Sequence, residues 1–241
     1  MLYLQIIFII SLILLIFIDY FIPKKASKTK EASQYMSLVN AFLWVTELEN
    51  LKYFIYCDKK NTEKLKAHLT EFISRHGELS CLDDDEHYTP SLDFRIYFLD
   101  GETLFEKGGF NYYLESLQPY FLKASIQLTI SSHIEEYDNV GLNHYITING
   151  KEYCIFKQFK GYGWGEAAQR FCEILNDQLS IQQKEDRVYL INGANDGRCV
   201  FLSDAQFNFI DQSLSNKTWK PLKLAEWCAY FGVNPTNYLG N

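Results

Sequence analysis

Apolar positions along this chain change period several times, and each change predicts an element. After a polar stretch at 23–33, Tyr35, Leu38, Val39, Phe42 and Val45 recur at helical spacing and predict a helix over 34–50. The run KYFIYC at 52–57 is rich in aromatic and β-branched residues and reads as a strand. Asn61 then caps a helix with Leu65, Leu69, Phe72 and Ile73 on one face, stopping near Gly77. LDFRIYFLD at 92–100 alternates as a strand should, and Asp100-Gly101 predicts a turn into a second strand at 102–107. A helix broken at Pro119 follows, then a strand at 126–132.

The clearest hairpin is HYITINGKEYCIF at 144–156, where Asn149-Gly150 suits a two-residue type I′ turn. That register pairs Ile146 with Tyr153 and His144 with Ile155. Trp164, Ala168, Phe171, Leu175 and Leu179 form one stripe of an amphipathic helix over 164–179. RVYLING (187–193) and RCVFL (198–202) predict a second hairpin. Ser203 and Gln206 form a capping box that opens a helix with Phe207, Ile210 and Leu214 inward, and a last helix runs from Pro221 to Gly232. The expected fold is α+β, mainly antiparallel hairpins covered by helices over 34–241, with hairpin–helix units repeated at 144–180, 187–214 and perhaps 92–124.

The first residues follow a different rule. From Leu2 to Ile22 the chain is apolar except for Gln5, Ser11, Asp19 and aromatic hydroxyls. At roughly 1.5 Å per residue such a run spans a hydrocarbon core of ~30 Å. No Lys or Arg precedes Lys24 and no small-residue cleavage site follows, so the expectation is a retained transmembrane anchor over 1–22 rather than a cleaved signal. Residues 23–33 read as a polar tether. Lys24, Lys25, Lys28 and Lys30 lie immediately after the run and place the rest of the chain on the cytoplasmic side, with the periplasm as the alternative.

Charge and chemistry narrow the classes. The chain has 30 acidic and 23 basic residues, which disfavours a nucleic-acid partner and favours a basic protein. Six cysteines show no C-x-x-C, so the usual zinc and redox motifs are absent. KGYGWGE at 160–166 matches neither the dinucleotide fingerprint nor a P-loop. The acidic run Asp83, Asp84, Asp85 and Glu86 reads as a solvated loop or a binding loop for a basic surface. His133, Glu135 and His144 could ligate a metal, although their order is not H-E-x-x-H, and His144 also fits a hydrogen-bonded, partly buried position. Tyr112, Tyr113, Tyr162 and Trp164 lie in or beside predicted loops, where aromatic anchors commonly dominate interfaces.

An apolar N-terminal run, a compact acidic domain rich in tyrosine and tryptophan, and no recognisable catalytic set together resemble, in overall build, the membrane-anchored immunity proteins of bacterial toxin systems. The resemblance implies a single-pass inner-membrane protein that neutralises a cognate toxin without a cofactor, and assigns no residue roles. The alternatives are an anchored hydrolase or metal-dependent enzyme using 83–87 and 133–144, and a structural subunit of an envelope complex.

Overall fold

A computed structural model describes residues 36–79 and 92–234. In chain order these form α1 (Leu38–Asn50), a 3₁₀ turn (Tyr53–Tyr56), α2 (Thr62–His76), β1 (Ile96–Phe98), α3 (Gly101–Phe105), α4 (Gly109–Ser116) and α5 (Gln118–Lys123). They continue with β2 (Ile130–Tyr137), β3 (Leu142–Ile148), β4 (Lys151–Phe159), α6 (Trp164–Ile181), β5 (Arg187–Ile191), β6 (Arg198–Leu202), α7 (Asp204–Ser213) and α8 (Leu224–Phe231). The strands make two antiparallel sheets, ordered β1-β6-β5 and β2-β3-β4. The fold is therefore α+β with antiparallel sheets, as the hairpin pattern implies.

The transmembrane part of the expected fold is corrected. No helix among the described residues is long and apolar enough to cross a membrane. The described helix of 18 residues, α6, carries Glu166, Arg170, Glu173 and Asp177, so it is amphipathic rather than apolar all round. The helix expected over 1–22, with its markers Leu2, Ile22, Lys24 and Lys25, lies outside the described residues, and the membrane and signal-anchor readings are not supported.

The sheet β1-β6-β5 divides two cores. Val188, Leu190, Cys199 and Phe201 face one cluster, which contains α4, α6 and the second sheet. Tyr189, Ile191, Val200 and Leu202 face the other, built from α1, α2 and α7. Burial on both faces explains why RVYLI and RCVFL read as continuous apolar runs instead of alternating ones. Among the described residues the second sheet is covered on one face only, and β3 accordingly alternates between buried and part-exposed positions.

Several elements differ from the expected ones. KYFIYC is not a strand: Lys52 takes a left-handed conformation (φ 62°) and Tyr53–Tyr56 turns as 3₁₀. The turn points both tyrosines at a buried polar group, Tyr53 Oη donating to Asp93 at 2.5 Å and Tyr56 Oη to Asp186 at 3.1 Å. The strand expected at 102–107 is α3, because Asp100 does not turn a hairpin. Its carboxylate accepts the N–H groups of Glu102 and Thr103 (2.7 and 3.1 Å) and caps a helix. Residues 92–124 thus hold one short strand and three helices, not a hairpin–helix unit.

The hairpin at 142–159 turns at Asn149-Gly150, both left-handed (φ 52° and 79°), as a type I′ turn requires. Ile146 opposes Tyr153 as expected, but His144 opposes Phe156 because the ladder is irregular between His144 and Tyr145. The capping box of Ser203 and Gln206 is present, and Gly77 and Gly232 close their helices in the left-handed conformation.

Candidate functional site

Two features combine exposed or convergent chemistry: a groove between α1 and α2, and a histidine–glutamate cluster on the second sheet.

α1 is apolar on two sides. Ala41, Trp44, Val45 and Leu48 pack into the core, while Leu38, Val39 and Phe42 stay outside at 63%, 69% and 61% exposure. Of the apolar stripe read from the sequence, Val45 is buried, Leu38, Val39 and Phe42 remain at the surface, and Tyr35 lies outside the described residues. Across from it, α2 presents Ala67, Thr70 and Ser74, small side chains three and four residues apart on one face. Together they bound an open groove of about 1010 Å³. Glu49, Glu63, Lys66, Glu71 and Arg75 also line it. Lys66 bridges the two helices through Glu49 (2.5 Å) and Glu63 (2.8 Å), and Arg75 pairs with Glu71 (2.7 Å).

The aromatic residues singled out in the sequence do not form one surface. Tyr162 and Trp164, rings 6.3 Å apart, line a second cleft of about 530 Å³ with Trp227, Phe231 and Val233. Tyr112 is exposed on α4, but Tyr113 beside it is buried and its hydroxyl accepts the N–H of Asp100 at 2.9 Å. Tyr113 is a core residue. The acidic run Asp83–Glu86 lies outside the described residues. None of Tyr112, Tyr113, Tyr162 and Trp164 lines the α1–α2 groove, whose sequence signal was the second apolar side of α1.

The cluster follows from strand geometry. Side chains two apart on a strand share a face, so β2 turns His133 and Glu135 inward together. The antiparallel register sets Glu135 directly opposite His144 on β3. His133 Nε2 comes 2.8 Å from His144 Nε2, and Glu135 Oε1 lies 3.5 Å from the first and 3.2 Å from the second. The side chains of His133, Glu135 and His144 are 13%, 10% and 2% exposed. The other carboxylate oxygen of Glu135 accepts the Gly108 N–H at 2.8 Å, and Asn111 Nδ2 lies 2.9 Å from His133 Nδ1. Both come from the start of α4, which the sequence gives no reason to place here.

Burial among apolar groups dominates at His144, whose ring contacts Phe110 and Phe156. It holds the imidazole neutral, with its pKa down to about 4. Burial alone would raise the Glu135 carboxyl. The hydrogen bonds from His133 and the Gly108 N–H more than offset this and hold it below the usual carboxylate range.

Cys57, Cys154, Cys172 and Cys228 carry free thiols, and burial pushes all four up, so none has the depressed pKa of an activated nucleophile.

No family model, curated protein or solved structure matches this chain.

Proposed function

We propose that this chain is a non-catalytic protein-binding module that seats an amphipathic helix of a partner protein in the α1–α2 groove. The observation that carries the reading is the two-sided apolarity of α1. One side is spent on the core, and the other leaves Leu38, Val39 and Phe42 exposed together beside a groove. Clustered large apolar side chains at the surface mark interaction sites, whereas scattered ones do not. The small stripe Ala67, Thr70 and Ser74 leaves room for the ridge of an incoming helix against α2. Acidic groups outnumber basic ones along the groove, three to two, and in the whole chain, which favours basic flanks on the partner.

The most specific form of this reading is an immunity protein whose partner is a cognate toxin. Co-expression with the product of the adjacent gene tests it. Protection of growth and co-purification support the reading, provided that Val39→Asp with Phe42→Asp abolishes both without changing the melting temperature. Full binding and protection by that double variant would overturn the groove assignment. Absence of binding by the wild-type chain would count against the toxin–immunity form.

A further inference from the structure

We propose that His133, Glu135 and His144 bind one divalent transition-metal ion, zinc being the ion this donor set suits, through His133 Nε2, His144 Nε2 and Glu135 Oε1. The inference is independent of the groove reading, because it uses a different sheet and different residues.

Among the described residues this is a group of three metal-ligating side chains whose ligand atoms all lie within 4.8 Å of one another. The donor triangle has edges of 2.8, 3.2 and 3.5 Å. An ion about 2.1 Å from each corner would sit roughly 1 Å off the plane of the triangle, between the values for ideal tetrahedral and octahedral faces. The three protein ligands then occupy one face of the ion and leave at least one position for water. Two imidazoles with one carboxylate suit zinc and its neighbours in the first transition row, whereas calcium and magnesium favour sites built wholly from oxygen.

The facing nitrogens make the same point by another route. Nε2 of His133 and Nε2 of His144 lie 2.8 Å apart, and one proton can satisfy only a single arrangement between them. If both nitrogens carried a proton they would repel, and if neither did, two lone pairs would meet. A cation placed between the two lone pairs and the carboxylate would take the place of the single proton that the two nitrogens otherwise share.

Groups that hold and orient the three donors are also in place. The Gly108 N–H holds Glu135 Oε2 and so aims Oε1 at the histidines. Asn111 Oδ1 is buried and has no hydrogen-bond partner, while its Nδ2 faces His133 Nδ1. Amide oxygen and nitrogen are distinguished only by the network around them. With the amide turned over, Asn111 Oδ1 accepts a hydrogen bond from His133 Nδ1–H, which leaves Nε2 with a lone pair. This is the usual support for a ligating histidine.

The test uses the full-length chain, stripped with a chelator and titrated with Zn²⁺ and separately with Co²⁺. The expected result is one equivalent of metal per chain by elemental analysis, a raised melting temperature, and cobalt d–d absorption of an N,N,O site. His133→Ala and Glu135→Gln, each at the edge strand and partly exposed, should weaken binding at least about 10-fold while the chain stays folded, and Asn111→Ala should weaken it less. Asn111→Asp, which keeps an acceptor facing Nδ1, should restore binding lost in Asn111→Ala. Failure of the stripped wild type to take up either ion at micromolar concentration, or undiminished binding in the double variant His133→Ala with Glu135→Gln, would overturn the assignment.

Discussion

Arg95 Nη1 lies 3.1 Å from Asp186 Oδ2, with the two side chains 2% and 7% exposed. Asp186 also accepts the hydroxyls of Tyr120 (2.8 Å) and Tyr56 (3.1 Å), and Arg95 donates to the carbonyls of Tyr53 (2.7 Å) and Phe201 (2.8 Å). Tyr53 belongs to one core and Tyr120 to the other, so this buried pair ties the two halves of the domain together. Removing one partner leaves the other charge buried and unpaired. Arg95→Ala and Asp186→Ala should each cost about 3–5 kcal/mol in urea unfolding. A loss under about 1 kcal/mol for either would show that water enters the site and that the two cores are not held in this way.

The tyrosines predict alkaline lability. Burial chiefly, with nearby carboxylates at Tyr56, Tyr113 and Tyr189, pushes these three up to about 12, and raises Tyr120 and Tyr153 further. In the unfolded chain a phenol titrates near 10. The folded pKa is the higher one, so this contribution to stability is fully present below about pH 10 and is lost as the pH rises through about 12. Tyrosinate absorbance should show these five of the 17 tyrosines still protonated near pH 11 in the folded chain, ionising only as it unfolds. Titration of all 17 in one step near pH 10, with the fold intact, would refute the burial assigned to them.

Gly109 sits where α4 crosses the end of α3. A β-carbon there would stand 2.1 Å from the Thr103 carbonyl oxygen and 2.7 Å from that of Leu104, both backbone atoms that cannot swing aside. Gly109→Ala should therefore cost about 1–3 kcal/mol in stability. It should also displace the Gly108 N–H and Asn111, which hold Glu135 and His133. Stability equal to wild type would mean that α4 does not approach α3 so closely.

Gln206 is both half of a capping box and a link between elements. Its Oε1 accepts the Ser203 N–H at 3.0 Å and its Nε2 donates to the Leu51 carbonyl at 2.9 Å. Ser203→Ala should cost about 1 kcal/mol by loss of the cap. Gln206→Ala should cost more, because it also leaves the Leu51 carbonyl at the end of α1 without this donor. Equal losses in thermal unfolding would mean that the contact with α1 contributes nothing.

How legible the chain is depends on how local the deciding physics is. The hairpin at Asn149-Gly150, the stripe of α6 and the Ser203 cap are set by neighbouring residues, and all three follow from sequence. KYFIYC does not, because distant partners decide it, and the segment after Asp100 does not, because Asp-Gly suits a hairpin turn and a helix start alike. Arg95 and Asp186 draw the two tyrosines into a turn, and the Asp100 carboxylate caps a helix where a hairpin was expected.

The site strand shows the same limit. β2 extends over Ile130–Tyr137, beyond the 126–132 expected, since its only inward side chains are His133 and Glu135 and it lacks apolar alternation. The three residues of the cluster could be named from sequence, but their convergence needs the register of β2 on β3, and the role of Asn111 needs α4. The groove escaped for a simpler reason: two apolar faces on α1 look like one wide packing face until the core has claimed its own.

The central claim is that the exposed side of α1 is a binding face. Hydrogen-exchange footprinting of the full-length chain, alone and in complex with the product of the adjacent gene, tests it directly. The account predicts slowed exchange over 38–50 and 62–76 in the complex, with the cleft at 162–166 and 227–233 unchanged. Protection confined to that second cleft, with α1 and α2 exchanging as in the free chain, would contradict it.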